Sequence, residues 1–165
     1  MKATGVVRRI DDLGRVVIPK EIRRSYRIKE GDSLEIFTNK GEVVLKKYAP
    51  IVEIEAYAQG VTDSLYDVFH NTVLVTDERD VVAVSGDSKK AWTSKKADEL
   101  LSWIENWDEE SVEQSGENAH LSIPIHDSEK RIGNLILLPS THKLNDEMLQ
   151  NARMQVKFLE RLFAD

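Results

Sequence analysis

Cysteine is absent from this 165-residue chain, which excludes disulfides, thiol nucleophiles and thiolate metal sites and fits a reducing compartment. Aliphatic runs stop at four residues, as in Leu135 to Leu138, far short of the ~20 a membrane helix needs. The opening MKATGVVRRIDD carries basic residues but no apolar h-region, so no signal peptide is expected. A soluble, cytoplasmic protein with no membrane association follows. Histidine is scarce, with four copies, and no two stand at i, i+4. His120 and His126, six residues apart, would be separated by about 20 Å on a strand. They are expected at the surface or in loops, and no metal site is expected. No paired base and nucleophile occurs either. Ser85-Gly86-Asp87-Ser88 follows a strand pattern but fits neither a nucleophile elbow nor a phosphate loop, and reads as a turn and helix cap. The chain is therefore not expected to be an enzyme, and no cofactor is expected.

What is present is a division of charge at Pro50. Residues 1–50 hold 12 Lys and Arg against 7 Asp and Glu, net +5, whereas residues 51–165 hold 11 against 22, net −11. A basic part joined to an acidic one suggests a nucleic-acid module carrying a second, different domain. With 41% hydrophobic residues there is room for one domain of ordinary size and one small one.

Within residues 1–50, Thr4 to Ile10 is a β-branched run whose Arg8 and Arg9 must point to opposite faces of a strand. Asp11-Asp12-Leu13-Gly14 is turn chemistry, Arg15 to Ile18 resumes a strand, and Pro19 suits the first position of a helix. With Ile22 at 0°, Ile18 and Tyr26 lie within about 40° of it, while Lys20, Arg23, Arg24 and Arg27 fall between about 100° and 200°. One face of the helix is apolar and its back is a cationic stripe. Lys29-Glu30-Gly31-Asp32 is expected to end the helix at a glycine turn. Leu34 and Ile36 then alternate with polar neighbours, Asn39-Lys40-Gly41 signals a tight turn, and Glu42 to Lys46 returns as a partner strand. That makes four short strands and one helix of about two turns. Below ~70–80 residues a single core rarely suffices without staples. With no cysteine to help, the remaining device is a second chain, so an obligate homodimer is expected.

GVVRRIDDLGRVVIPKEIRR, followed by IKEGDSLEIF and VVLKKYAP, resembles the swapped-hairpin DNA-binding domain of the AbrB, MazE and SpoVT family of transition-state and sporulation regulators. The resemblance covers about 48 residues, with nearly every turn and apolar position in place. It implies two chains exchanging hairpins into one interleaved β-barrel, a basic surface laid on double-stranded promoter DNA, and control of sporulation genes at the nucleoid. Carried over position by position, Arg8, Arg15, Arg23 and Arg24 become the arginines set against DNA, with Arg9 and Lys2 as auxiliaries. A two-fold dimer would double each of them, and counterion release would make the affinity strongly salt-dependent.

In residues 51–165, Ile51, Ile54, Ala58, Val61, Leu65 and Val68 recur at spacings of three and four, the mark of a helix with one apolar seam. Thr72 to Thr76 and Val81 to Ser85 read as strands, and Lys89 to Trp107 as a helical stretch. Asp108 to Asn118 reads as a polar loop, and Ala119 to Ile125 and Arg131 to Leu138 as a second strand pair. Asn145 caps a final helix with Asp146 and Glu147 in its first turn and an apolar seam from Leu149 to Phe163. This is an α+β layout, an antiparallel sheet flanked by its terminal helices. Its order is similar to a compact GAF domain, the sensory module joined to such DNA-binding domains. That resemblance implies assembly or small-molecule sensing, with the two seams either forming a second interface, and so a tetramer, or packing on the chain's own sheet. Trp92, Trp103 and Trp107, with Ser85, are candidate pocket residues for an unidentified small-molecule effector, the tryptophans being equally suited to a core. Bilin attachment needs a cysteine that is missing, and no cyclic-nucleotide residue set is found. A MazE-like antitoxin is the alternative reading. Such proteins carry a disordered acidic tail, whereas residues 51–165 are periodic and rich in apolar positions.

Overall fold

The computed structural model describes residues 4–78, 80–92, 99–100, 102–104, 106–140 and 142–163. The chain divides into two compact units, Met1–Tyr48 and Ala49–Asp165.

In the first unit the Asp11–Arg15 turn is closed by backbone hydrogen bonds, Asp11 N–H to Arg15 C=O at 3.0 Å and Gly14 N–H to Asp11 C=O at 3.1 Å. Gly14 takes φ +76°, a conformation glycine adopts without cost. The segments on either side, expected as strands, belong to none: among the described residues no ladder pairs 4–10 or 15–18. A β-branched run becomes a strand only when its N–H and C=O groups meet a partner. The sequence pattern is there, but one chain does not supply the partner.

Helix α1, Lys20–Ser25, starts one residue later than expected, with Pro19 in the N-cap position. It also ends earlier than Gly31. Arg27 adopts φ +52°, its N–H reaches Arg24 C=O at 3.2 Å, and Ile28 N–H reaches Arg23 C=O at 2.7 Å. This is the paired 5→2 and 6→1 closure that normally uses glycine, made here by an arginine. Arg27 therefore leaves the helical stripe. Strands β1, Leu34–Asn39, and β2, Glu42–Lys47, pair antiparallel with Asn39 opposite Glu42. Lys40 and Gly41 both have positive φ, as a two-residue hairpin turn requires.

The second unit opens with the short helix α2, Pro50–Glu53, and α3, Glu55–Phe69, where one continuous helix was expected. The break lies at Ile54, whose φ of −105° and ψ of 22° leave the helical region. Five strands follow: β3, Val73–Thr76; β4, Val81–Ser85; β5, Ser111–Glu113; β6, His120–Asp127; and β7, Lys130–Leu137. They form one antiparallel sheet in the order β4-β3-β7-β6-β5. Strand β5 lies inside the expected polar loop; three residues of Ser-Val-Glu carry no readable period, and pairing with β6 alone makes them a strand. Helix α4, Asp146–Arg161, is capped as expected, Asn145 Oδ1 accepting from Met148 N–H at 3.0 Å.

Both long helices cover the same sheet face. Ala58, Val61 and Leu65 of α3 and Ala152, Val156 and Leu159 of α4 pack with Val73, Val75, Leu135 and Leu137 in one core. The apolar seams are thus spent mostly on the chain's own sheet. Gly133 lies so close to β3 that an added Cβ would overlap the Thr76 carbonyl oxygen. On the opposite face Leu74, Val84 and Ile136 pack with Trp92, Leu100 and Ile104, with Trp103 and Trp107 against them. Of the stretch expected to be helical, Lys89–Ala91 is a 3-10 turn, 99–100 and 102–103 are helical, and 93–98 lies outside the described residues. Trp107 sits in a turn, so it does not share a helical face with Trp103.

Candidate nucleic-acid interface

The cationic side chains of the first unit differ in how they are held. Arg15 is fastened to its own turn: Nε donates to Asp11 Oδ2 at 2.8 Å, with Arg15 71% exposed. The other carboxylate oxygen of Asp11 accepts the N–H groups of Leu13 at 3.0 Å and Arg15 at 2.8 Å. Donation from the Arg15 backbone first, and from its guanidinium second, holds the Asp11 carboxyl below the ordinary aspartate range. Arg23 is held through the same atom, its Nε donating to the Ile18 carbonyl at 3.2 Å. Arg8, Arg9 and Arg24 are exposed, with no hydrogen bond or ion pair among the described residues. Lys2 lies outside the described residues.

Around these cations the unit has almost no interior. Pro19 is its one buried residue among those described, while Val7 is 85% exposed and Ile10, Val17 and Val43 are each above 70%. Val6, Val16, Val17, Ile18, Ile22, Ile28 and Leu45 line an open cleft of about 570 Å³, with Arg8, Lys46 and Lys47 at its wall. Apolar surface on this scale belongs against another surface, each fully covered Val or Ile contributing roughly 1.5–3 kcal/mol.

The candidate residues of the second unit do not converge. Ser85 is 7% exposed and its hydroxyl is taken by α3, donating to Thr62 Oγ1 at 2.9 Å and to the Asp63 carboxylate, while Gln59 Nε2 donates to it at 3.0 Å. The tryptophans are gathered in one apolar layer that Ser85 does not join. Trp92 is 8% exposed and part of that core. Trp107 lies under the Arg131 guanidinium, 5.5 Å from its ring centre, and its carbonyl accepts from the buried Asn134 at 3.4 Å. Trp103 faces a polar cavity of about 460 Å³ shared with Glu109, Glu110, Glu113 and His120. His120 departs from the surface or loop expectation, which the exposed His70 and His142 meet. His120 is 3% exposed, with Nε2 3.0 Å from Ser111 Oγ and Nδ1 2.7 Å from Asn118 C=O, and His126 Nδ1 is 3.3 Å from Glu160. Both lie on β6, where pairing buries His120 and leaves His126 half-buried. No group of three or more His, Asp or Glu able to hold a metal occurs among the described residues.

Residues 53–161 match the family described as Stage V sporulation protein T C-terminal, transcription factor. The chain belongs to that family. Residues 7–53 match the family described as antidote-toxin recognition MazE, bacterial antitoxin. Stage V sporulation protein T of Bacillus subtilis (strain 168) is 59% identical over 102 residues, which is 61% of this chain and 57% of that protein, so the chain spans little more than half of that relative's length. A solution structure of the N-terminal DNA recognition domain of the Bacillus subtilis transition-state regulator AbrB is 56% identical, covering 29% of this chain and 91% of that one at a TM-score of 0.26. The cofactor-binding GAF domain of the nutrient sensor CodY from Clostridium difficile is 17% identical, covering 62% of this chain and 81% of that one at a TM-score of 0.47. The family member described here thus joins a basic, coreless first unit to an α+β second unit with its own core. No helix among the described residues is long and apolar enough to cross a membrane.

Sequence reasoning named the arginines as candidates but missed Asp11 as the partner of Arg15. The signal was available: an acid opening a glycine turn, four residues before an arginine.

Proposed function

We propose that this protein is a DNA-binding transcriptional regulator of sporulation genes, whose first unit works as a homodimer. In that dimer the 4–10 and 15–18 segments of one chain pair with those of its partner in a swapped-hairpin barrel. Arg8, Arg15, Arg23 and Arg24 of both chains then face one DNA duplex, with Arg9 and Lys2 assisting. The observation that carries the reading is the combination in one unit of guanidinium groups facing solvent with apolar side chains that have no core to enter. Pairing two copies covers the second and doubles the first. The family's description as transcription factors agrees with it.

The second unit is read as a GAF-like domain that tunes assembly or answers to a small molecule. With most of both seams facing the sheet, Tyr57, Met154 and Phe158 remain for contact with another copy, being 55%, 61% and 45% exposed, and the Tyr57 and Phe158 rings meet at 6.4 Å. Association through them would make a tetramer. The cavity beside Trp103 is the candidate effector site. An effector there could change DNA affinity only by binding the two states of the unit unequally. The antitoxin reading draws on the match over residues 7–53, but residues 49–163 form a packed sheet domain instead of a toxin-wrapping tail.

The test is fluorescence anisotropy on duplex DNA at moderate salt. Arg15→Ala and Arg23→Ala should each weaken binding at least about tenfold with circular dichroism unchanged, given that a phosphate or bidentate base contact contributes on the order of 1–3 kcal/mol. Unaltered titrations would defeat the assignment. Co-purification of a stoichiometric small toxin would restore the antitoxin reading.

A further inference from the structure

Asp11 stands beside the cations of the proposed DNA surface, and repulsion of phosphate is the expected result of placing an acid there. Asp11 nonetheless makes more polar contacts than any arginine around it. One oxygen accepts the N–H groups of Leu13 and Arg15, and the other accepts Arg15 Nε. The guanidinium is thereby held along one edge. Its terminal Nη groups keep no partner among the described residues. That terminal pair is the end of an arginine able to take guanine O6 and N7, or two phosphate oxygens, at once. Arg23 is anchored through the same atom by a neutral acceptor, the Ile18 carbonyl.

We propose that Asp11 is a positioning residue that presents the Nη end of Arg15 to a base edge, giving up non-specific attraction for sequence discrimination. The proposal rests on the DNA-binding reading above. Long cationic side chains lose rotamer freedom on binding, and a fork already held by its Nε loses less. Contacts to a correct base edge gain from this. Contacts to phosphate at random positions, which need charge but no fixed direction, gain little and are weakened by the nearby carboxylate.

Asp11→Asn separates the two effects. The amide oxygen can still accept the Leu13 and Arg15 N–H groups and keep the turn, but the amide nitrogen is a donor and cannot hold Nε. The full chain is titrated by anisotropy at one salt concentration with two probes, a duplex enriched by in vitro selection with the wild-type protein and a mixed-sequence duplex of equal length. Affinity for the selected duplex should fall about tenfold while that for the mixed duplex holds or rises. In an Arg15→Ala background Asp11→Asn should leave the ratio of the two unchanged. Asp11→Ser, which retains a turn acceptor without charge, serves as the second variant and should reproduce the loss of ratio. Equal gains on both probes would reduce Asp11 to a repulsive charge, and equal losses would reduce it to a support for the turn. Either result overturns the proposal. Failure of the wild type to bind either probe, or Arg15→Ala binding as wild type, would instead remove the DNA reading on which it stands.

Discussion

Val73, Val75, Leu135 and Leu137 of the second unit have no exposed surface, while in the first unit Val7, Ile10, Val17 and Val43 keep most of theirs. Both stretches are built from the same β-branched and aliphatic residues, so composition does not separate them. Chain length and local partners do. Between residues 49 and 163 there is enough chain to bring five strands edge to edge and lay two helices on one face. Among the described residues of the first unit only one strand pair forms, and the 4–10 and 15–18 segments join no ladder. Stability in the second unit is therefore a property of one chain, whereas in the first, on the proposed dimer, it would be a property of concentration.

The sharpest break in that comparison comes from Gly133→Ala. The new methyl would meet the Thr76 carbonyl inside the sheet, and a loss of about 4 kcal/mol or more is expected. A thermal melt of the full chain should show the second unit's transition lost while that of the first unit keeps its midpoint. The converse is dilution. Residues 1–50 expressed alone should sediment as a dimer with a melting temperature that falls on dilution, whereas residues 49–165 should melt independently of their dimerisation. A folded monomer of residues 1–50 would end the argument from the missing core. Next in size is Asn71→Ala. The Asn71 side chain is fully buried and donates to the Leu138 and His142 carbonyls at 2.9 and 3.1 Å, and leaving both unsatisfied should cost the second unit about 2 kcal/mol by chemical denaturation.

Smaller effects belong to the first unit. Arg27→Gly relieves a left-handed arginine and should stabilise the dimer by about 1 kcal/mol, read as a higher denaturation midpoint at fixed concentration. The smallest is a pH effect at Asp11. Its folded-state pKa is lowered, so its contribution is present above the ordinary aspartate value of 3.8 and is lost as pH falls through the lowered folded value. The turn should loosen only below pH 3.8, and Asp11→Asn should abolish that step in amide chemical shifts of residues 11–15. Loosening that begins near neutral pH would point to another group.

Much of this architecture was legible beforehand, and the exceptions share a cause. The Asn145 cap, the Lys40-Gly41 turn and the long strands β4, β6 and β7 carry local signals, in cap chemistry, positive-φ residues and apolar runs. Strand β5, the break at Ile54 and the burial of His120 carry none, because each depends on what a segment meets across space. The 4–10 and 15–18 segments err the other way: their β pattern is plain, yet a strand is a relation between two segments. Among the candidate residues, the arginines were visible as charges in a motif and Asp11 as an acid opening a glycine turn, while the hold of the Ile18 carbonyl on Arg23 appeared only in three dimensions. Ser85 was singled out for its position after a strand, and α3 has taken its hydroxyl.

Sequence by itself determined which residues are apolar, where Asn145 caps the last helix, that positive charge gathers before Pro50 and that no thiol chemistry is available. Those are properties of single residues and short spacings, and they need no partner to be true. Tertiary structure alone decided which face of the sheet each helix covers, which tryptophans are core, and which guanidinium edges are already occupied. Such outcomes depend on contacts made through space, across the sheet or around a turn, whose energies exist only once the fold has brought the groups together.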